Sequence, residues 1–193
     1  MNPLYIGVGI IPYGVYQSHC PIGCPYEDIT YGAMVRAGYE INEYFGFEAR
    51  AMRTFWGKGK NGGERFEHYG IYAKPMYPVS ERFNVYGLVG YGWTSSINSG
   101  GNGNLPEVGS WGFSWGAGIE FDLSDKKSDF DDKVGYDREF DGYADQEKGW
   151  GLFIDYQSLM HKQHFIHTGV SGQLIKGEAD IFHVISMGIT YDF

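Results

Sequence analysis

No run of apolar residues in this 193-residue chain approaches the ~18 that a membrane-spanning helix needs, which excludes a helical membrane protein. Basic charge is scarce: 15 Lys and Arg stand against 24 Asp and Glu, so the chain lacks the footprint of a nucleic-acid binder and no such partner is expected. Helical periodicity is missing as well, since no window of useful length repeats its apolar residues every 3.6 positions. Met1-Asn2-Pro3 runs straight into a strand-like segment, without the charged and apolar regions of a signal peptide, so the expectation is a mature chain with an initiator Met. Cysteine is limited to two residues, both in one connection.

What the chain has in excess is glycine and aromatics. The 30 glycines are about twice the usual ~7% share, and 13 Phe, 5 Trp and 16 Tyr make disorder untenable. The length suits one sizeable domain, residues 1–193.

Alternation with period two predicts eight strands, at about 4–16, 29–41, 44–56, 67–79, 83–95, 110–123, 149–159 and 179–193. In the sixth, Trp111, Phe113, Trp115, Ala117, Ile119 and Phe121 alternate with Ser110, Gly112, Ser114, Gly116, Gly118 and Glu120. The second and eighth repeat the split between an apolar face and a small or charged one. A small barrel has room inside for few side chains. Bulky aromatics therefore belong outside, as girdles around an apolar band, with glycines and charges inside, which is the transmembrane β-barrel pattern. Strands two and three meet across Asn42-Glu43, and strands four and five across Ser80-Glu81-Arg82. The alternate connections, 17–28, 57–66, 96–109 and 160–178, are long. Short turns on the periplasmic side and long loops outside fit the same architecture. A charged insertion at 124–148 is the exception among the short turns.

The unit Glu43-Tyr44-Phe45-Gly46-Phe47-Glu48, the stretch from Phe83 to Gly92, and the terminus Ser186-Met187-Gly188-Ile189-Thr190-Tyr191-Asp192-Phe193 carry a family resemblance. The chain resembles the small eight-stranded outer-membrane β-barrels, such as the OmpA transmembrane domain, OmpX and the opacity proteins. That resemblance implies an all-β, antiparallel, up-and-down barrel in the bacterial outer membrane, in contact with membrane lipid and lipopolysaccharide. It also implies an assembly signal at Gly188, Tyr191 and Phe193, read by the barrel-insertion machinery. The expected role is structural or a surface interaction of the adhesin or opacity kind, with an unknown extracellular ligand. The expected state is a monomer.

Arg36, Glu40, Glu48, Arg50, Lys74, Glu120 and Asp155 fall on the inward face. In a narrow lumen they must pair, because an unpaired buried charge is very costly. A salt-bridge plug is expected; a gated ion path, and hence a narrow porin or channel, is the alternative. Arg53 lies on the outward face late in the third strand, as a snorkelling cation or as a contact to a lipopolysaccharide phosphate. Cys20 and Cys24 are expected to form a disulfide in the first long connection.

No enzymatic activity is expected. His167 and Ser171 suggest a lipid A hydrolase only distantly, because the spacing does not give hydrogen-bond reach. His161, His164 and His167 are read as solvated, with a weak transition-metal site as the alternative. No cofactor is expected, calcium excepted. Within the insertion, Asp137, Glu139, Asp141 and Asp145, with Gly142 at the sixth position, follow the spacing of a calcium loop. Glu at the third position and Lys148 at the twelfth depart from it, and a solvated charged turn is the simpler reading. Calcium held there would slow tryptic cleavage at Lys133 and Arg138 relative to chelator; equal cleavage removes the site.

Overall fold

The structure, a computed structural model, describes residues 4–19, 25–57, 65–80, 82–97, 108–123, 149–163, 166–168, 174–176 and 180–193. These are strands and tight turns, with no helix among them. In chain order the strands are β1 (Leu4–His19), β2 (Pro25–Asn42), β3 (Phe45–Gly57), β4 (Arg65–Ser80), β5 (Phe83–Ile97), β6 (Val108–Asp122), β7 (Gly149–Gln163), β8 (Ile166–Thr168), β9 (Leu174–Lys176) and β10 (Asp180–Asp192). The first seven and β10 form a closed antiparallel barrel in the order β1-β10-β7-β6-β5-β4-β3-β2. Closure leaves no free sheet edge.

Alternation decides which way each side chain points. Val8, Val35, Ile71, Val89, Phe113, Ile154 and Ile189 are exposed on the outer surface, and the residues between them are buried. Aromatic contacts close the two rims of the outer band. Near the short turns, Trp150 packs edge-on against Tyr191 at 5.0 Å and Tyr191 against Phe193 at 5.3 Å. Toward the other end, Tyr91 stacks on Trp111 at 6.1 Å and Trp115 meets Tyr156 at 5.8 Å.

Three features differ from expectation. The ladders outrun the apolar band: β1 and β2 stay paired to Ser18↔Tyr26 and His19↔Pro25, because backbone hydrogen bonds need no apolar face to continue. Within 160–178, read as an open loop, β8 and β9 pair as a short hairpin. The interior is also not mainly small. Tyr5, Tyr16, Phe66, Tyr72, Tyr86, Phe153 and Phe182 all point inward and are buried.

Glycines on neighbouring strands make that possible. Tyr5 lies over Gly38, Tyr72 over Gly90, Tyr86 over Gly118, and Phe153 over the facing pair Gly9 and Gly188. A Cβ on Gly118 would sit 2.6 Å from Tyr86 Cζ. Each large ring thus occupies the space that a neighbouring side chain has vacated.

Irregular pairing supplies the rest of the core. The register of β1 slips between Ile10 and Tyr13, around Pro12, and that of β10 on β7 slips between Phe182 and His183, opposite Leu159. Proline is tolerated at such a bulge because no ladder N–H is required of it. Ile11 and Leu159 are buried beside these slips, in one cluster with Tyr16, Phe66, Met160 and Phe182.

Gly118→Val should therefore cost about 2 kcal/mol through overpacking against Tyr86. Ala117→Val, on the outer face, should stay within about 0.5 kcal/mol. Urea unfolding of the refolded barrel, followed by tryptophan fluorescence, measures both.

Candidate functional site

The barrel interior holds the only concentration of buried charge among the described residues. Arg36 comes from β2, Glu48 and Arg50 from β3, Lys74 from β4, Glu120 from β6 and Asp155 from β7, with Glu40 nearest the short turns on β2. Every one of them sits on the inward parity of its strand.

The pairing forms a connected set. Lys74 Nζ donates to Glu40 Oε1 and Glu120 Oε2, both at 3.0 Å. Arg36 joins Glu120 through Nη2 and reaches Glu48 Oε2 at 3.5 Å through Nη1. Arg50 joins Glu48 through Nε and meets Asp155 Oδ2 at 2.8 Å through Nη2. No member of the seven lacks an oppositely charged partner.

Neutral donors fill the remaining lone pairs. Tyr86 donates its hydroxyl to Asp155 Oδ2 at 2.7 Å, and Ser186 donates to the other carboxylate oxygen. Tyr5 donates to Glu48, and Thr190 to Glu120 at 3.2 Å. The Arg36 guanidinium also lies 3.7 Å from the centre of the Phe153 ring, and Lys74 Nζ 4.3 Å from that of Tyr5. In a water-poor interior such cation–π contacts replace part of the lost hydration.

Toward the long-loop end the charges give way to uncharged polar groups. Arg50 Nη1 donates to Gln157 Oε1 at 3.2 Å, and Gln157 Nε2 to Ser114 Oγ at 3.3 Å. Tyr72 donates to the same Ser114 oxygen at 3.2 Å, and Ser114 donates onward to the Ser158 carbonyl at 2.8 Å. With the Tyr72 proton committed, His68 Nε2 is the donor across the 2.5 Å contact to Tyr72, and Nδ1 accepts from Thr94 at 2.7 Å. One hydrogen-bonded chain therefore runs through the barrel from Thr190 to Thr94.

Beyond it lies an apolar layer. Tyr16 packs on Phe66 at 4.7 Å, Phe66 on Phe182 at 4.6 Å, and Tyr16 meets Phe182 edge-on at 6.4 Å. The lumen thus passes from charged to polar to aromatic along its axis.

Reading by residue type alone misses several members. Asp122 and Asp192 share the inward parity of Glu120 and Thr190, and Asp192 lies within electrostatic reach of Glu40, Glu120 and Asp122. With them, acids outnumber bases at the short-turn end. His68, Tyr72, Ser114 and Gln157 were also readable, as polar side chains on inward positions.

Other expected sites fall elsewhere. Arg53 is on the outer surface and pairs with Glu67 at 3.3 Å. Gly188 faces Gly9 across the β1–β10 seam, while Tyr191 and Phe193 belong to the outer rim. Cys20, Cys24, Asp137, Glu139, Asp141, Asp145 and the rest of 124–148 lie outside the described residues, as do Ser171 and the side chains of His161, His164 and His167. Among the described residues no group of His, Cys, Asp or Glu is arranged to hold a metal ion.

Because Arg50 bridges two carboxylates, Arg50→Met should cost about 3–5 kcal/mol by leaving Glu48 and Asp155 undercompensated. Adding Asp155→Asn should recover part of that loss, a coupling of about 1–3 kcal/mol in the same unfolding assay. Strict additivity would show that the pair is not linked.

The sequence model for the family described as outer membrane protein beta-barrel domain matches residues 4–193. A comparison with curated proteins finds no match. Among solved structures, Neisserial surface protein A aligns with a TM-score of 0.59 at 11% identity, covering 99% of this chain and 97% of that one. Outer membrane protein OprG from Pseudomonas aeruginosa gives 0.55 at 14% identity, with 100% and 96% covered. The attachment invasion locus protein of Yersinia pestis, Ail, gives 0.50 at 15% identity, with 99% and 100% covered. At these identities the likeness is one of fold.

Proposed function

This chain belongs to the outer membrane protein beta-barrel domain family, and on that premise we propose that it is a non-conducting, non-enzymatic surface barrel whose long loops meet an extracellular ligand. The strands cross the bacterial outer membrane, with the short turns periplasmic and the long connections outside. The carrying observation is the pairing of Arg36, Glu48, Arg50, Lys74, Glu120 and Asp155, topped by the Tyr16–Phe66–Phe182 layer. An ion entering such an interior would have to break paired charges and then cross an apolar layer without water. Both steps oppose conduction.

The contact role falls to the loops, since connecting segments on a rigid scaffold commonly carry recognition. Neisserial surface protein A and the attachment invasion locus protein bear names of that kind, but support for the reading comes from the packed interior. On the same reading the chain acts as a monomer, the outer leaflet lipids and lipopolysaccharide are its surroundings, and Gly188, Tyr191 and Phe193 address it to the insertion machinery. Calcium at Asp137, Glu139, Asp141 and Asp145 and a Cys20–Cys24 disulfide stay proposals for the loops and the insertion.

A narrow cation path is the second reading, favoured by the excess of acid that Asp122 and Asp192 bring to the periplasmic mouth. Planar-bilayer recording separates the two. The wild type and Glu48→Gln are both expected to stay at the baseline, and discrete cation-selective openings in either would establish the pore instead.

A further inference from the structure

Most of the outer belt is built from large side chains, but the stretch shared by β2 and β3 is not. Ala33, Ala37, Ala49 and Ala51 point outward there, with Ala37 facing Ala49 and Ala33 facing Arg53 in the ladder. Two concavities result, and they share Val35, Ala51 and Tyr69. The lower is walled by Ile6, Ile71, Tyr91 and Trp111; the upper ends at Phe55 and Arg53. Together they make one trough that rises along the barrel wall toward the long-loop end. From Ala49 to Arg53 is about 13 Å of strand, which at the roughly 40° tilt of such strands is about 10 Å of depth in a leaflet whose hydrocarbon is ~15 Å deep.

The upper end of the trough is cationic. Arg53, with its side chain 55% exposed, contacts Glu67 at 3.3 Å through one guanidinium nitrogen, and Glu67 also accepts from the Tyr69 hydroxyl at 3.5 Å. Arg65 follows on the same face of β4, two residues beyond Glu67, and its Nε makes no hydrogen bond. The register thus sets Arg53 across from Glu67, with Arg65 two residues further along the same face, where the apolar belt ends. A guanidinium offers five donors in a planar fork that matches phosphate.

We infer that this trough binds a phosphate-bearing acyl lipid of the outer leaflet, one chain lying over the alanines and the phosphate held by Arg53 and Arg65. The inference rests on the reading of the long-loop end as external. A second copy of the chain fits less well: a symmetric contact through this face would bring the same arginines toward each other at one depth in the membrane, where like charges repel strongly.

The test is native mass spectrometry of the full chain from detergent micelles, titrated with diphosphoryl lipid A and with the same lipid stripped of its phosphates. The phosphorylated form should be retained about tenfold better, the worth of one charge-assisted contact. Arg53→Gln should remove that preference, and Ala51→Phe should reduce retention of both lipids by filling the trough. Ala117→Phe, on β6, should change neither. Glu67→Gln should strengthen retention by releasing Arg53 and removing a competing anion, an effect that an ion pair serving only the fold would not show. Unheated gel mobility reports which variants are folded, and Arg53→Gln with Glu67→Gln decide the matter if Ala51→Phe is not. Equal retention of the two lipids, indifference to Arg53→Gln, or a dimer that Ala51→Phe dissolves would each overturn the site. An error in the underlying membrane reading would show separately, as wild-type chain that stays in solution without detergent.

Discussion

Everything inside this barrel follows from one constraint: a cylinder closed by eight strands encloses too little water to solvate a charge. Each ionised side chain that points inward must find its compensation in another side chain, because moving it from water to such a medium is otherwise prohibitive. Arg36, Arg50 and Lys74 each touch two carboxylates, and Glu48 and Glu120 each touch two cations. The result is a mesh that ties β2, β3, β4, β6 and β7 across the lumen. Such a mesh adds little net stability over a well-packed apolar core, since desolvation offsets most of the attraction. Its contribution is selectivity of arrangement: a strand slipped by one residue would turn its charges toward lipid.

That sensitivity to parity explains how much was readable in advance. Period-two alternation specifies both the strand and the face, so the eight barrel strands and the seven inward charges can be placed from residue order alone. What alternation does not carry is partnership across the lumen. Nothing in the neighbourhood of Tyr86 says that Gly118, on an adjoining strand, leaves room for its ring, and nothing near Phe153 announces Gly9 and Gly188. The aromatic interior is for that reason not legible from any single strand. Ile11 and Leu159 were hidden differently: both lie beside register slips, where strict alternation fails. Asp122 and Asp192 share the inward parity but stand at strand ends, where an acid is equally at home in a turn.

The two surfaces of the wall obey opposite rules. Inside, large groups are admitted where glycine recedes, and charge is admitted where it is matched. Outside, the lipid asks only for apolar contact, so size is free to vary, and the alanine-lined trough on β2 and β3 is a departure that neither closure nor packing requires. Its position beneath Arg53 and Arg65 sets it apart from the ordinary unevenness of a β surface.

The seam between β1 and β10 bears on how the barrel comes into being. Tyr5 pairs with Asp192 and Gly9 with Gly188, so one edge of the first strand has no native neighbour until the last strand exists. Every other adjacent pair is close in the chain, apart from the loops between them; this one spans nearly its whole length. The entropy of bringing such distant segments together is paid late and all at once. Until then β1 and β10 are both open templates, ready to pair with any strand offered. The barrel is therefore complete only when β10, from Ile181 to Asp192, has gained β1 as its second neighbour.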